Sequence, residues 1–451
     1  MARKSIHGEW SSRWIFVLAA TGSAVGLGNI WKFPYMAGEN GGGAFVIIYL
    51  VCIALLGIPV MMAEVLIGRR GRQSPINSMI TIAKEEGANW HWRWLGWSGV
   101  LAGFLILSYY SVIAGWTLAY VLESITGTFT GLDGDAVSQV FDDLVGNPGA
   151  LIFWHSLFML LTMVVVARGV QQGLEKAIRF LMPALFILLV VMVGYALSTD
   201  SFSKGLEFMF TPDFSKITTE GILAAMGQAF FTLSLGMGAI MIYGSYMPHD
   251  ASIAKMSITV AVSDTLVALL AGIAIFPIVF ANQLEPAAGP GLVFVTLPIA
   301  FGHMPGGAFF GTLFFVLLAF AAWSSSISLI EPFVAWLVEN KGMTRNHASI
   351  VSGLITWVVG LGTVFSFNYW SSFKLFDKTF FDLLDFLTAN IMLPLGGLLI
   401  GVFAAWIMKR QTSIEELGMG DGPAYKIWSV LVRYVTPVGV GLVFLKSVGF
   451  I

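Results

Sequence analysis

Eleven runs of about 20 mainly apolar residues follow one another along this chain, at approximately 14–37, 44–68, 95–124, 149–167, 173–198, 220–245, 254–282, 307–339, 346–366, 378–408 and 427–449. Each is long enough to cross the ~30 Å hydrocarbon core of a bilayer as a helix. No water reaches peptide N–H and C=O groups there, so a spanning segment must bond them within itself. The composition agrees: 11% of residues are charged, against about 25% in a soluble domain, and mean hydropathy is +0.82. The expected architecture is an all-α polytopic membrane protein, residues 1–451 forming one transmembrane domain with 11 membrane helices.

Charge sets the expected topology. With the N-terminus in the cytoplasm, most of the 24 Lys and Arg residues fall on that side, among them Arg69, Arg70, Arg72, Lys84, Arg93, Lys341, Arg345, Lys409 and Arg410. The loop 125–148, with Asp133, Asp135, Asp142 and Asp143 and no basic residue, then lies outside. An odd number of spans puts the C-terminus outside as well, and the first span follows Arg3, Lys4 and Arg13 without a recognisable cleavage site. The bilayer is one expected partner. Nucleic acid is not, since no basic cluster exceeds Arg69-Arg70-Arg72 and the formal net charge is −2. Cys52 is the one cysteine, so no internal disulfide forms. His7, His91, His155, His249, His303 and His347 have no metal-ligand spacing, and neither a Ser-His-Asp set nor a phosphate loop stands out. An enzyme is therefore not expected. The oligomeric state is left open.

Two of the spans carry residues that a plain membrane helix avoids. The first contains Gly22, Gly26, Gly28, Asn29 and Lys32, and each glycine costs about 1 kcal/mol of helix stability relative to alanine. The spacing of Gly22 and Gly26 also suits close helix packing, but packing does not account for Asn29 and Lys32. The sixth span carries Ser234, Gly236 and Gly238 in its middle. Interrupted spans at matching places in two halves point to an inverted repeat with a binding site at the midplane. The halves are 5+5 spans, repeat one about 10–200 and repeat two about 215–410, with the eleventh helix at about 427–449. Broken helices offer N–H groups to an anion and carbonyls to cations. A zwitterion carried with alkali ions fits such a site.

The stretches GSAVGLGNIWKFPYMAGENGGGAF (22–45), GQAFFTLSLGMGA (227–239) and AAWSSSISLIEP (321–332) resemble the signatures of the neurotransmitter:sodium symporter family, in the same order and over essentially the whole chain. The likeness is strongest to bacterial members that carry several hydrophobic amino acids. It implies the LeuT-type fold, two Na+ ions, alternating access and a hydrophobic or aromatic L-amino acid as substrate, in a bacterial plasma membrane. Many relatives have twelve spans, and here the chain stops after eleven.

Carried over position by position, the resemblance implies a first sodium site of the Ala24 carbonyl, Asn29, Thr232 and Asp264, completed by the substrate carboxylate. The second would use the Gly22, Val25 and Ala321 carbonyls with Ser324 and Ser325. The substrate carboxylate would meet the Leu27 and Gly28 amides and Tyr110. Its ammonium would meet the Ala24, Phe231 and Thr232 carbonyls and Ser234. Ile106, Phe231, Met237, Ser325 and Leu329 would line the side-chain pocket, with the flexible thioether of Met237 where an aromatic is common. Gly26 replaces the aspartate found in amine transporters of the family, so the substrate brings its own carboxylate.

The gates follow from the same resemblance. Lys32 and Asp385 match an outer ion pair flanking a lid of Tyr110 and Phe231, with lysine in place of a more usual arginine. Glu339 matches the inner acidic partner, Tyr246 its neighbour and Trp10 the tryptophan beside it. The usual N-terminal arginine position is His7, so Arg3 or Lys4 is an alternative partner. In the fifth span Gly173 and Pro183 bracket a segment that either begins an ordinary kinked helix or unwinds to release the second sodium. Tyr49, Gln228 and Thr232 match parts of the anion site of chloride-dependent relatives, while the glutamate of chloride-independent ones is here Ala268. The negative charge sits instead on Asp264, which predicts no chloride requirement. Two rival readings share these features: a membrane amino-acid sensor or receptor with a transporter fold, and a proton-coupled amino-acid transporter.

Overall fold

In the computed structural model, which describes residues 5–286 and 291–447, the described secondary structure is helical throughout. Among the described residues nine continuous helices are long and apolar enough to cross a membrane: Gly43–Gly71, Trp90–Ile125, Pro148–Ala167, Val170–Leu197, Ile253–Ala281, Gly307–Lys341, Arg345–Ser366, Phe380–Ile407 and Pro423–Lys446. The first span is the pair Arg13–Ala24 and Gly28–Glu39, bent by 52°. The sixth is Thr219–Thr232 followed by Ala239–Ser245. Counting each broken pair once, the eleven expected spans are all present and end within a few residues of the expected limits. Residues 448 and 449, the end of the expected eleventh span, lie outside the described residues, as do Arg3 and Lys4.

Helices outside the spans were not anticipated. Gly134–Gly146, Phe202–Phe210 and Leu292–His303 cover one face, while Pro75–Glu86 and Arg410–Leu417 lie on the face that carries the N-terminus. The two faces are called here the opposite face and the N-terminal face. Polar caps start several helices. Ser12, Asn147, Thr218, Ser252 and Thr344 each accept a bond from an N–H in the first turn, which satisfies donors with no intrahelical partner.

The two breaks are built differently. After Ala24 the chain turns extended at Val25 (φ −68°, ψ 106°) and resumes as a π-helix at Gly28–Lys32. In the sixth span Ser234, Gly236 and Gly238 all have positive φ (54°, 79° and 76°). That conformation is cheap for glycine and strained for serine, so tertiary contacts must hold Ser234 there. One is its hydroxyl bond to the Ser23 carbonyl, 2.9 Å, which ties one break to the other. Another contact supports Gly236: its N–H donates to Oε2 of Glu64, a fully buried carboxylate of the second span, at 3.1 Å.

Between the spans, lipid supplies no net hydrophobic drive to associate, so small residues that allow close approach carry much of the packing. Gly68 shows how close: a Cβ there would lie 1.9 Å from the Met241 carbonyl oxygen of the second half of span six. Gly68→Ala is therefore expected to destabilise the protein by about 1–3 kcal/mol through overpacking. Thermal unfolding in detergent, followed by tryptophan fluorescence, checks this. A melting temperature equal to wild type would mean that these two backbones part freely.

Candidate binding site between the broken helices

The breaks in spans one and six border a small cavity of about 30 Å³. Ala24, Gly26, Leu27, Gly28, Ile106, Tyr110, Phe231, Ser234, Met237, Ser325 and Leu329 line it, together with Ser23. All of the residues expected to form the side-chain pocket thus face one space. Thr232 does not line it but stands beside Asp264. Gly26 is crowded: a Cβ would lie 2.4 Å from the Ser325 hydroxyl oxygen and 3.0 Å from the Tyr110 oxygen. The Tyr110 hydroxyl accepts a long bond, 3.4 Å, from the Leu27 N–H, so both groups expected to grip a carboxylate already point at one another.

On one side of the cavity Asp264, 0% exposed, gathers Asn29 and Thr232 of the expected first sodium site, while Ala24 lines the cavity. Asn29 Nδ2 donates to Asp264 Oδ1 at 2.8 Å and to its carbonyl at 3.1 Å, and Thr232 Oγ1 donates to Oδ2 at 3.0 Å. Asn29 Oδ1 accepts from the Gly26 N–H at 3.0 Å. Gln228 Nε2 donates to the Gly28 carbonyl, 2.8 Å, and Tyr49 faces Asp264 and Thr232. With no cation charge nearby, the buried carboxylate is held by neutral donors alone, and its oxygens form the kind of hard donor set that suits an alkali ion. On another side the residues expected at the second sodium site also meet. Ser325 Oγ donates to the carbonyls of Val25 (3.2 Å) and Ala321 (3.3 Å), and Ser324 Oγ to Ala321 (3.0 Å). Gly22 lies against Ser324 and Met182.

Toward the opposite face a vestibule of about 370 Å³ meets the cavity at Leu27, Gly28, Tyr110 and Phe231. Lys32 and Asp385 both line it, but the expected ion pair between them is not formed. Lys32 Nζ lies over the Phe231 ring, 4.4 Å from its centroid, and Asp385 Oδ1 accepts from the Tyr109 hydroxyl at 3.3 Å. The vestibule is open in this conformation, which keeps the two charges on separate walls and leaves each to a neighbour with a polar or π partner.

Toward the N-terminal face the path is closed. Glu339 accepts from the Ser74 N–H (2.7 Å), Ser74 Oγ (2.5 Å) and Asn77 Nδ2 (2.8 Å), and pairs with His7 Nε2 at 3.0 Å. His7 is thus its partner among the described residues, with the imidazole where an arginine is usual. Tyr246 lies beside this layer, its ring 5.9 Å from that of His7, and its hydroxyl donates to a second acid, Glu331, at 2.7 Å. Glu331 is fully buried and also takes Arg345 at 2.5 Å, so a carboxylate nearer the membrane interior captures the tyrosine. Trp10 seals the layer, its N–H groups bonding the Tyr243 and Tyr246 carbonyls and its ring meeting both tyrosines edge-on.

Gly173 lies in a π-helical turn, Val170–Glu175, and Pro183 within the helix Lys176–Leu197 that continues it. The segment is wound here. A Cβ on Gly173 would lie 2.1 Å from the Val165 carbonyl oxygen, so the glycine serves close approach as well as any loosening of the helix.

Glu64, Ser23, Ser74 and Asn77 were not anticipated. Glu64 was legible, since a carboxylate inside an apolar run is a functional signal by default. Ser23, Ser74 and Asn77 act through contacts between distant segments, and nothing in the spacing marks them.

A polytopic helical bundle with two broken spans around a midplane cavity that meets a vestibule on one side is the architecture of a secondary transporter. The model of the sodium:neurotransmitter symporter family matches residues 7–133 and 135–450, and the chain belongs to that family, one of sodium-dependent membrane transporters and not of enzymes. An uncharacterized sodium-dependent transporter of Bacillus subtilis, YhdH, is 39% identical over 446 residues, covering 98% of each chain. An uncharacterized sodium-dependent transporter of Haemophilus influenzae is 34% identical, covering 97% of each. Among solved structures, that of MhsT in complex with L-phenylalanine superimposes with a TM-score of 0.90 at 42% identity, covering 98% of this chain and 99% of that one. The LeuT-type fold with its inverted repeat is therefore the fold of this protein.

The closed layer makes a structural prediction. Glu339→Ala leaves His7, the Ser74 and Asn77 donors and the Trp10 layer without their anchor, which should open the N-terminal face. With Cys52 replaced by serine, a cysteine at position 324 should react with a water-soluble thiol reagent at least about tenfold faster in the Glu339→Ala background, a shift of about 1.4 kcal/mol in opening. Equal rates would show that Glu339 does not hold the layer shut.

Proposed function

We propose that this protein imports hydrophobic, including aromatic, L-amino acids together with two sodium ions by alternating access, without a chloride requirement. It sits in the bacterial plasma membrane with its N-terminus cytoplasmic and its C-terminus outside, so that the open vestibule faces outward. The crowding at Gly26 carries the substrate class. With Ser325 and Tyr110 against it, a side-chain carboxylate at this position has no room, so the carboxylate must arrive with the substrate. The cavity lining offers hydroxyls and backbone but no ionizable acid or base besides the Tyr110 phenol. That favours an uncharged side chain, and the L-phenylalanine named in the MhsT complex is of this kind.

In this reading the substrate carboxylate displaces the Leu27–Tyr110 contact and takes both groups, while its ammonium lies against the carbonyls left free at the two breaks. One sodium ion takes Asp264, Asn29, Thr232 and the Ala24 carbonyl, joined to the substrate carboxylate. The other takes Ser324, Ser325 and the carbonyls of Gly22, Val25 and Ala321. Lys32 and Asp385 approach one another as Phe231 and Tyr110 close over the substrate. Release then follows loosening of the His7–Glu339 layer and unwinding of span five between Gly173 and Pro183. Two charges moving down 100 mV provide about 4.6 kcal/mol, enough to sustain a gradient on the order of a thousandfold.

Proteoliposomes test this. Labelled L-phenylalanine should accumulate above its external concentration under an inward sodium gradient and not under a proton gradient alone. Saturable binding without accumulation would make the protein a receptor, and uptake driven by protons alone would make it a proton symporter. Asp264 provides a second prediction. Uptake by the wild type should be equal in gluconate and chloride media at matched sodium, whereas Asp264→Asn should lose activity by tenfold or more in gluconate, about 1.4 kcal/mol, and regain part of it in chloride. A wild type that needs chloride, or a variant equally active in both media, would show that Asp264 is not the fixed counter-charge.

A further inference from the structure

A second cavity, of about 540 Å³, opens on the outside of the bundle, away from the transport path. Span three (Trp94, Trp97, Ser98, Leu101, Phe104) forms one wall, and Phe333, Ile355 and Met392 of spans eight, nine and ten form the other. From Trp94 to Phe104 the groove runs ten residues of helix, about 15 Å. That is half the ~30 Å hydrocarbon core, or one leaflet. It starts at the N-terminal face, where span three begins, and ends near the midplane. Its deep wall is an aromatic column: Trp97 meets Trp336 edge-on at 4.8 Å, Trp336 stacks on Phe333, and Phe333 meets Phe104 at 5.8 Å. The shape fits a single acyl chain lying along span three.

The shallow end carries positive charge. The Arg93 guanidinium lies 3.9 Å from the Trp90 ring and 5.1 Å from that of Trp94, and its Nε is buried with no hydrogen-bond partner. On span eight, which also carries Phe333 of the other wall, Lys341 Nζ lies 5.9 Å from the ring of Trp336. None of the ion pairs among the described residues involves either side chain. Tryptophans hold this end at headgroup depth, so two cations that join none of those ion pairs lie at the end of the groove where a lipid phosphate would sit. A sterol would fill the groove and leave both cations unanswered, and a neutral lipid would answer them less well than one with net negative charge.

We propose that this groove is a binding site for one anionic phospholipid of the leaflet at the N-terminal face, its acyl chain along Trp97, Leu101 and Phe104 and its phosphate between Arg93 and Lys341. The site is independent of the transported substrate. Native mass spectrometry of the full chain, titrated with phosphatidylglycerol or with phosphatidylcholine of the same acyl chains, tests it. Wild type should hold one phosphatidylglycerol through activation energies that strip phosphatidylcholine. The pair Arg93→Gln and Lys341→Gln should weaken that lipid about thirtyfold, two charges at about 1 kcal/mol each, and abolish the preference. Ser98→Trp, which fills the groove and leaves both charges in place, should remove the adduct by itself. Equal retention of the two lipids by wild type, or an adduct that survives Ser98→Trp, would overturn the proposal.

Discussion

Everything in this structure depends on satisfying peptide groups that two helices release in the middle of a membrane. A helix that breaks at that depth exposes N–H and C=O groups that lipid cannot bond, and each left unpaired costs roughly 1–3 kcal/mol. Four contacts meet the need. Asn29 holds the Gly26 N–H, Gln228 the Gly28 carbonyl, Glu64 the Gly236 N–H, and Ser234 the Ser23 carbonyl. Three of these link segments far apart in sequence, so neither break exists without the other spans around it. The local strain at Ser234 is held in place by the same contacts.

That arrangement explains why binding and motion share one place. The groups that stabilise the breaks are also those aimed into the cavity, and the two clusters of oxygen donors flank it without an intervening layer. In the proposed function, a ligand entering there exchanges the bonds now made across the cavity for bonds to itself. The vestibule and the closed layer at His7, Glu339 and Trp10 stand on opposite sides of this centre. In the transport cycle proposed above, opening one and closing the other is a swing of spans one and six against the rest of the bundle. The asymmetry seen at Lys32 and Asp385, each held by an aromatic neighbour while the vestibule is open, fits a gate whose pairing energy becomes available only on closure.

Much of the architecture was legible along the chain because the bilayer imposes a strong and simple length rule. All eleven spans follow from it, and so do the two breaks, since glycine, serine and asparagine are conspicuous inside an apolar run. The residues expected to line a pocket do face one cavity, because they sit on the breaks themselves or on the helix faces that must cover them. Legibility failed where a partner is chosen by geometry. Glu331, the acid that binds the Tyr246 hydroxyl, was not singled out, although it lies only two turns from Glu339 on the same helix. Glu64 was passed over although its residue type was informative, because its role appears only when span two is laid against the break in span six.

Sequence alone determined that this is a helical membrane transporter with two interrupted spans, because hydropathy, helix-breaking residues and the family's motifs are each local properties of the chain. Tertiary structure decided which donors meet which acceptors, which side of the site is open, and how little space surrounds Gly26 and Gly68. It also decided that Lys32 rests on Phe231 and that His7 reaches Glu339. Those outcomes depend on distances of a few tenths of an ångström between segments hundreds of residues apart. No pattern within any one segment encodes such a distance, since it is set by how all the spans pack at once.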